Sequence, residues 1–165
     1  MKKLVSDLKD ILTNEMDLYR DMVDLANKKR DVITKGDIKE LDNITHIEQE
    51  IIINIGKLED TRTEIVDMIM EELGLTNDDI NVSKVLERLD QKDKVHLEKM
   101  RDDFIQILNE LKEKNDLNNA LIKDSLEYIN FNLNLMTNAS SENTYSDKVN
   151  NQKGKQNKNL FDAKA

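Results

Sequence analysis

An all-α fold is what this sequence predicts: an elongated antiparallel bundle of three long helices plus one short helix, with a disordered C-terminal tail. Three observations carry it. The 165 residues hold no proline and only 4 glycines, so little interrupts a long helix. Charged residues make up 36% and aromatics 4%, which supplies solvated outer faces but too few rings for a large globular core or a sandwich. Apolar residues recur at alternating spacings of three and four over many turns, the period of a helix that packs along one side.

The first helix carries Leu4, Leu8, Ile11, Leu18, Met22, Leu25 and Val32 as a seam, widened by Val5, Leu12, Met16, Tyr19, Val23 and Ile33. Glu15 and Lys29 interrupt this stripe and are expected to snorkel to solvent. Thr34-Lys35-Gly36 ends the helix, with Gly36 suited to a left-handed cap. Asp37 begins the second helix, and Glu40 three residues later is close to a capping box. Leu41, Ile44, Ile51, Ile55, Leu58, Ile65 and Ile69 form its seam. Ile51-Ile52-Ile53 favours a strand locally, but the helical spacing persists on both sides. Leu73-Gly74-Leu75 reads as a Schellman ending. The Gly36-Asp37 link is too short for parallel neighbours and predicts an antiparallel hairpin.

Thr76 to Asn81 reads as a polar loop, and Ser83 as the cap of a short helix carrying Val85, Leu86 and Leu89. The third long helix starts around Lys92 to Lys94 and runs to about Met136. Leu97, Met100, Phe104, Ile107, Leu108 and Leu111 define its packing stripe, continued by Ile122, Leu126, Ile129, Leu133 and Met136. Asn115 and Asn118 fall on that stripe, either at a solvated bundle end or as buried polar groups that fix register. Ile129 to Leu135 also alternates with period two, yet the stripe runs through it in helical phase. From Thr137 onward Asn, Ser, Lys, Gln and Asp dominate, which predicts a bundle domain over 1–137 and a flexible tail over 138–165 carrying short linear motifs.

Composition narrows the function classes. Lys+Arg 25 against Asp+Glu 34 leaves a net charge of -9, which argues against nucleic acid and anionic membranes as partners. The one tight basic cluster, Lys28-Lys29-Arg30, reads as a solvated patch near a helix end. There is no cysteine, and no apolar run approaches a membrane span, so no membrane insertion is expected. Met1-Lys2-Lys3 resembles the start of a signal peptide, but Asp7, Lys9 and Asp10 break the apolar core such a peptide needs. A soluble, cytoplasmic protein is expected.

No catalytic constellation emerges. His46 and His96 are the only histidines and lie on different helices among ordinary polar neighbours. Asp78-Asp79 and Asp102-Asp103 are adjacent pairs, which on a helix diverge by about 100°. No phosphate loop, EF-hand or nucleophile elbow is present. The expectation is a protein without enzymatic activity, metal or cofactor.

The final turns of the third helix carry something more. Leu117, Leu121, Tyr128, Phe131 and Leu135 form a second apolar stripe, roughly a quarter to a third of a turn from the first. A helix that only packs into a bundle needs one stripe, so the second asks for a partner. A second copy of the chain fits as that partner, making the chain a structural coiled-coil or tethering homodimer.

Three blocks of this sequence together resemble the FlgN family of flagellar export chaperones. The first is Leu25-Ala26-Asn27-Lys28-Lys29-Arg30 with Gly36-Asp37 and Leu41; the second runs from Ser125 to Leu135. The third is Tyr145-Ser146-Asp147-Lys148 with the terminal Leu160-Phe161-Asp162-Ala163-Lys164. The family tends to place a glycine four residues after the tail tyrosine, where this chain has Val149, with Gly154 further on. The resemblance implies a cytoplasmic, all-helical chaperone. It would bind the C-terminal segments of hook-associated proteins of the hook–filament junction and bring them to the flagellar type III export gate. Leu117, Leu121, Tyr128, Phe131 and Leu135 would then be the client surface, and the whole first stripe core. Tyr145 and the tail, with Leu160 and Phe161, would dock on the cytoplasmic domain of the gate. A sibling chaperone for filament or cap subunits is a related reading.

Overall fold

A computed structural model describes residues 1–75 and 82–146, with side chains as far as Asn138. The helices are α1 (Lys2–Lys35), α2 (Ile38–Glu72), α3 (Val82–Arg88) and α4 (Gln91–Ser146), and no strand occurs among the described residues. Ile51-Ile52-Ile53 and Ile129–Leu135 are helical throughout, so the longer-range period prevails over local β-propensity. The polar stretch 76–81 lies outside the described residues.

The α1–α2 link is built as its sequence indicates. Gly36 is left-handed (φ 70), and two bonds close α1, from Gly36 N–H to Ile33 O and from Asp37 N–H to Val32 O. Asp37 then caps α2, its Oδ1 accepting from Glu40 N–H at 3.0 Å. The returning arm of a capping box has no donor to reach, because Asp37 N–H is already committed to the end of α1. At the other end, Gly74 (φ 66) and Leu75 bond back to Glu71 O and Met70 O, completing the Schellman pattern. Ser83 falls inside α3 rather than before it. The start of α4 carries a cap the expected start at Lys92 overlooks: Asp90 Oδ1 accepts from Asp93 N–H at 2.9 Å.

The chain divides into two units, Met1–Ile122 and Lys123–Ala165. In the first, α1 and α2 run antiparallel, and two ion pairs set their register. Arg62 Nε donates to Glu15 Oε1 at 3.0 Å, and Lys29 Nζ donates to Glu48 Oε2 at 2.9 Å. Glu15 and Lys29 therefore do not snorkel: Glu15 is fully buried and Lys29 half-buried, each matched across the seam. The spacing from Glu15 to Lys29 equals that from Glu48 to Arg62, two heptads, and the charges are reversed between the pairs. A slip that brought Glu15 opposite Glu48 would oppose like charges, so the pairs disfavour that register. Burial raises the Glu15 carboxyl above its ordinary range, opposed by the Arg62 bond and charge.

The order Lys9–Asp93, Tyr19–Phe104, Ala26–Asn118 ascends α1 and α4 together, so α4 runs parallel to α1. Tyr19 touches both neighbours: its ring meets Phe104 at 5.3 Å between centroids, and its hydroxyl lies 3.4 Å from Glu59. Val5, Leu8, Met16, Met22, Val23 and Ala26 of α1 join Ile55 and Ile69, Leu86 of α3, and Leu97, Met100, Ile107 and Leu111 of α4 in one core. On α1 the widening residues Val5, Met16 and Val23 are more deeply buried than Ile11, Leu18 and Leu25 of the seam. A helix with neighbours on two sides buries the arc between them, not a single line.

Asn118 settles which of its two readings holds. It is 2% exposed, and its Nδ2 donates to Ala26 O at 2.9 Å. The small side chain of Ala26 lets α4 approach closely enough for that bond. Asn115 is half-buried.

Candidate functional site

The site that the sequence points to lies on α4. Within the first unit, α4 behaves as a bundle helix. Leu97, Met100, Ile107 and Leu111 are buried and Phe104 and Ile122 half-buried, so these positions of the first stripe are core, whereas Leu108, expected on the same stripe, is 39% exposed at its edge. Of the second stripe, Leu117 is exposed and Leu121 half-buried here.

Within the second unit the pattern changes. Tyr128, Phe131 and Leu135 are exposed, as expected of a client surface. Leu126, Ile129, Leu133 and Met136 are exposed too, although the sequence reading placed them on the packing stripe. Every large apolar side chain from Leu126 to Met136 is between 52% and 70% exposed. The exposed apolar face is therefore wider than the second stripe alone.

The sequence predicts an end of α4 near Met136, with a length close to that of the hairpin helices. In the structure α4 has 56 residues, against 34 in α1 and 35 in α2. The segment after Met136 contains no glycine or proline to stop it, and Thr137 Oγ1 bonds back to Leu133 O at 2.8 Å without breaking the helix. The signal that identifies the extra residues was thus the absence of a breaker before Ser146.

Local chemistry keeps this face free of charge. From Tyr128 to Asn138 there is no ionisable group other than the Tyr128 phenol. Asn130 and Asn134 fall on the opposite side of the helix, with Lys123 and Glu127. Asn132 sits within the apolar arc, but its Nδ2 turns back onto Tyr128 O at 3.0 Å and is half-buried. Its polarity is partly spent on its own backbone rather than presented to a partner.

Isolated apolar residues elsewhere do not form such a face. Ile38, Ile47, Ile52, Ile53 and Met68 of α2 are exposed but diverge around the helix. Single exposed residues of this kind are ordinary for a protein surface.

The remaining candidates are readily placed. Tyr145 lies in the last turn of α4, beyond the described side chains, and Leu160 and Phe161 lie outside the described residues. His46 is exposed beside Asp42 at 3.6 Å, and His96 is exposed. Asp102 and Asp103 are exposed, and Asp78-Asp79 lie outside the described residues. Lys29 leaves the solvated basic patch for Glu48, while Lys28 and Arg30 remain exposed. Among the described residues, no group of three or more His, Cys, Asp or Glu could hold a metal ion. No helix among them is long and apolar enough to cross a membrane.

Comparison with known proteins places this architecture in context. A family model described as FlgN protein matches residues 1–153. Among curated proteins, an uncharacterized protein of Bacillus subtilis (strain 168), YvyG, is 27% identical over 165 residues, spanning 99% of this chain and 98% of that one. No solved structure matches the chain significantly.

Proposed function

The chain belongs to the FlgN family of flagellar export chaperones, and from that premise we propose that α4 holds the C-terminal amphipathic segments of hook-associated junction proteins. Holding them prevents premature assembly in the cytoplasm until delivery to the export gate. The observation that carries this reading is the uncharged apolar face from Leu126 to Met136, 52–70% exposed in a chain whose other apolar residues largely pack or scatter.

The chemistry required is binding without turnover, as befits a family of chaperones rather than enzymes. Client helices that coil with sister copies expose an apolar stripe, and an alternative groove competes for it. Burying each large side chain of the face contributes roughly 1.5–3 kcal/mol. Ordering a client segment costs about 1–2 kcal/mol per residue. The two nearly offset each other, so the complex is of moderate affinity and releasable at the gate.

Phe131→Asp tests the face. Phe131 is 60% exposed, so the substitution leaves folding intact. Binding to a junction protein should fall sharply and should also depend on that protein's C-terminal helix. Unchanged binding would show that the face is misassigned. Sedimentation of the chain alone separates this reading from the scaffold: a tight homodimer that buries the face favours a tethering protein, a monomer favours the chaperone.

Delivery is the second half of the proposal. Tyr145, Leu160 and Phe161 are the residues proposed to dock on the cytoplasmic domain of the gate. Alanine at these three positions should abolish secretion of the client while preserving its binding, and retained secretion would remove the docking role.

A further inference from the structure

The apolar arc of the second unit is two flanks rather than one. On a regular helix Tyr128, Phe131 and Leu135 share one direction, and Leu126, Ile129, Leu133 and Met136 share another, about 140° away. Each flank has its own spacing of three then four, which is enough to receive one helix. Between them runs a narrow polar seam of Ser125 and Asn132, with the Asn132 amide folded onto Tyr128 O. A single packed helix contacts a stripe about 100° wide, and so cannot cover both flanks.

Resting on the client reading above, we propose that the client presents two amphipathic helical segments at once, one on each flank, with α4 lying between them. The margins of the flanks differ. Glu127 borders the Tyr128–Phe131 flank and Asp124 stands in line with it at its N-terminal end, one turn before Tyr128, whereas Asn130 and Lys123 border the Leu126–Leu133 flank. The segment on the first flank therefore carries lysine or arginine at the edge facing Glu127 and at the end over Asp124, and the segment on the second has a neutral or acidic edge.

Two observations disfavour a second copy of this chain as the occupant. Each copy has a net charge of -9, so two copies repel at long range. From Leu126 to Met136 the helix is about 16 Å long, and one helix laid on one flank covers on the order of 200–300 Å², well below the ~800 Å² per partner of a stable interface. A partner that uses both flanks reaches about 400–600 Å², short of a stable dimer but within the range of a transient, releasable complex.

The experiment uses the full chain and a full-length hook-associated junction protein as probe. One variant carries Tyr128→Gln and Leu135→Gln, the other Ile129→Gln and Leu133→Gln. All four positions are exposed, and circular dichroism checks that the helices are retained. Because the chain has no cysteine, Phe131→Cys and Leu133→Cys each place one specific cross-linker on a flank. Each double variant should weaken binding about tenfold or more. The two cross-linkers should reach two different segments of one client molecule in a complex of one to one. If only one double variant weakens binding, or both cross-linkers reach the same segment, the two-helix arrangement is wrong while the client reading stands. If neither variant weakens binding, both fail. Cross-links joining two copies of the chain, or a complex with two clients, also overturn the proposal.

Discussion

Replacing Glu15 by glutamine probes what holds the α1–α2 hairpin in register. The carboxylate is fully buried; one oxygen accepts from Arg62 at 3.0 Å and the other has no hydrogen-bond partner among the described residues. Burial is the largest influence on this group and raises its pKa, the Arg62 bond and charge lower it, and Glu59 raises it further. A raised folded pKa means that the folded state holds the proton more tightly than the unfolded chain. The stability linked to it is fully present below the unfolded value of about 4.5 and is lost as pH rises through the folded value. Glutamine keeps the shape and an acceptor for Arg62 but carries no charge to desolvate. Glu15→Gln should therefore match the parent near pH 4 and exceed it by about 1 kcal/mol near pH 7.5. Arg62→Met acts in the opposite sense by leaving a buried carboxylate unpaired, a loss of about 3–5 kcal/mol for a fully buried pair. The Arg62 side chain is 35% exposed, and solvent screening reduces the loss to about 2–3 kcal/mol. Urea unfolding of the three proteins across that pH range, at constant m-value, measures the differences. A Glu15→Gln variant that is less stable than the parent at neutral pH, or whose difference does not change with pH, refutes the reasoning.

Three further outcomes follow from the same geometry. Lys29→Glu sets two carboxylates across the seam from α1 to α2 and should cost about 2–3 kcal/mol, most of it restored by adding Glu48→Lys; melts of both variants measure it. The hydrogen bond from Lys9 holds the Asp93 carboxyl below its ordinary range. Its stability is present above the unfolded value of 3.8 and is lost as pH falls through the folded one, so Asp93→Asn should flatten the acid limb of a stability profile. Asn118→Leu removes both the bond to Ala26 O and a buried oxygen with no partner, so stability should change by less than about 1 kcal/mol. Side-chain NMR lines of the α1–α4 contact should nevertheless broaden as the register loosens.

What was legible in the sequence was local chemistry of one kind. Gly36 and Gly74 lie where only a left-handed residue closes a helix cleanly, and the apolar period identified the helices despite Ile51-Ile52-Ile53. Features that depend on two distant segments were not legible in the same way. Glu15 and Lys29 look like interruptions of a stripe until Arg62 and Glu48 are seen opposite them, and nothing within α1 announces those partners. Asn118 could be buried or solvated until Ala26 O was placed beside it. For the candidate site, the second stripe was visible as a period, and Tyr128, Phe131 and Leu135 are exposed. The exposure of Leu126, Ile129, Leu133 and Met136 was missed because periodicity reports which side of a helix is apolar, not whether a neighbour reaches it. The polar composition after Met136 likewise concealed the true length of α4.

The central claim is that the apolar face between Leu126 and Met136 is the client surface. Amide hydrogen exchange of the full chain, alone and with a junction protein, tests it most directly because it reads every segment at once. The account expects new protection concentrated in Lys123–Met136, with the α1–α2 hairpin unchanged. Protection confined to the hairpin, with α4 after Ile122 exchanging as it does in the free chain, would contradict it.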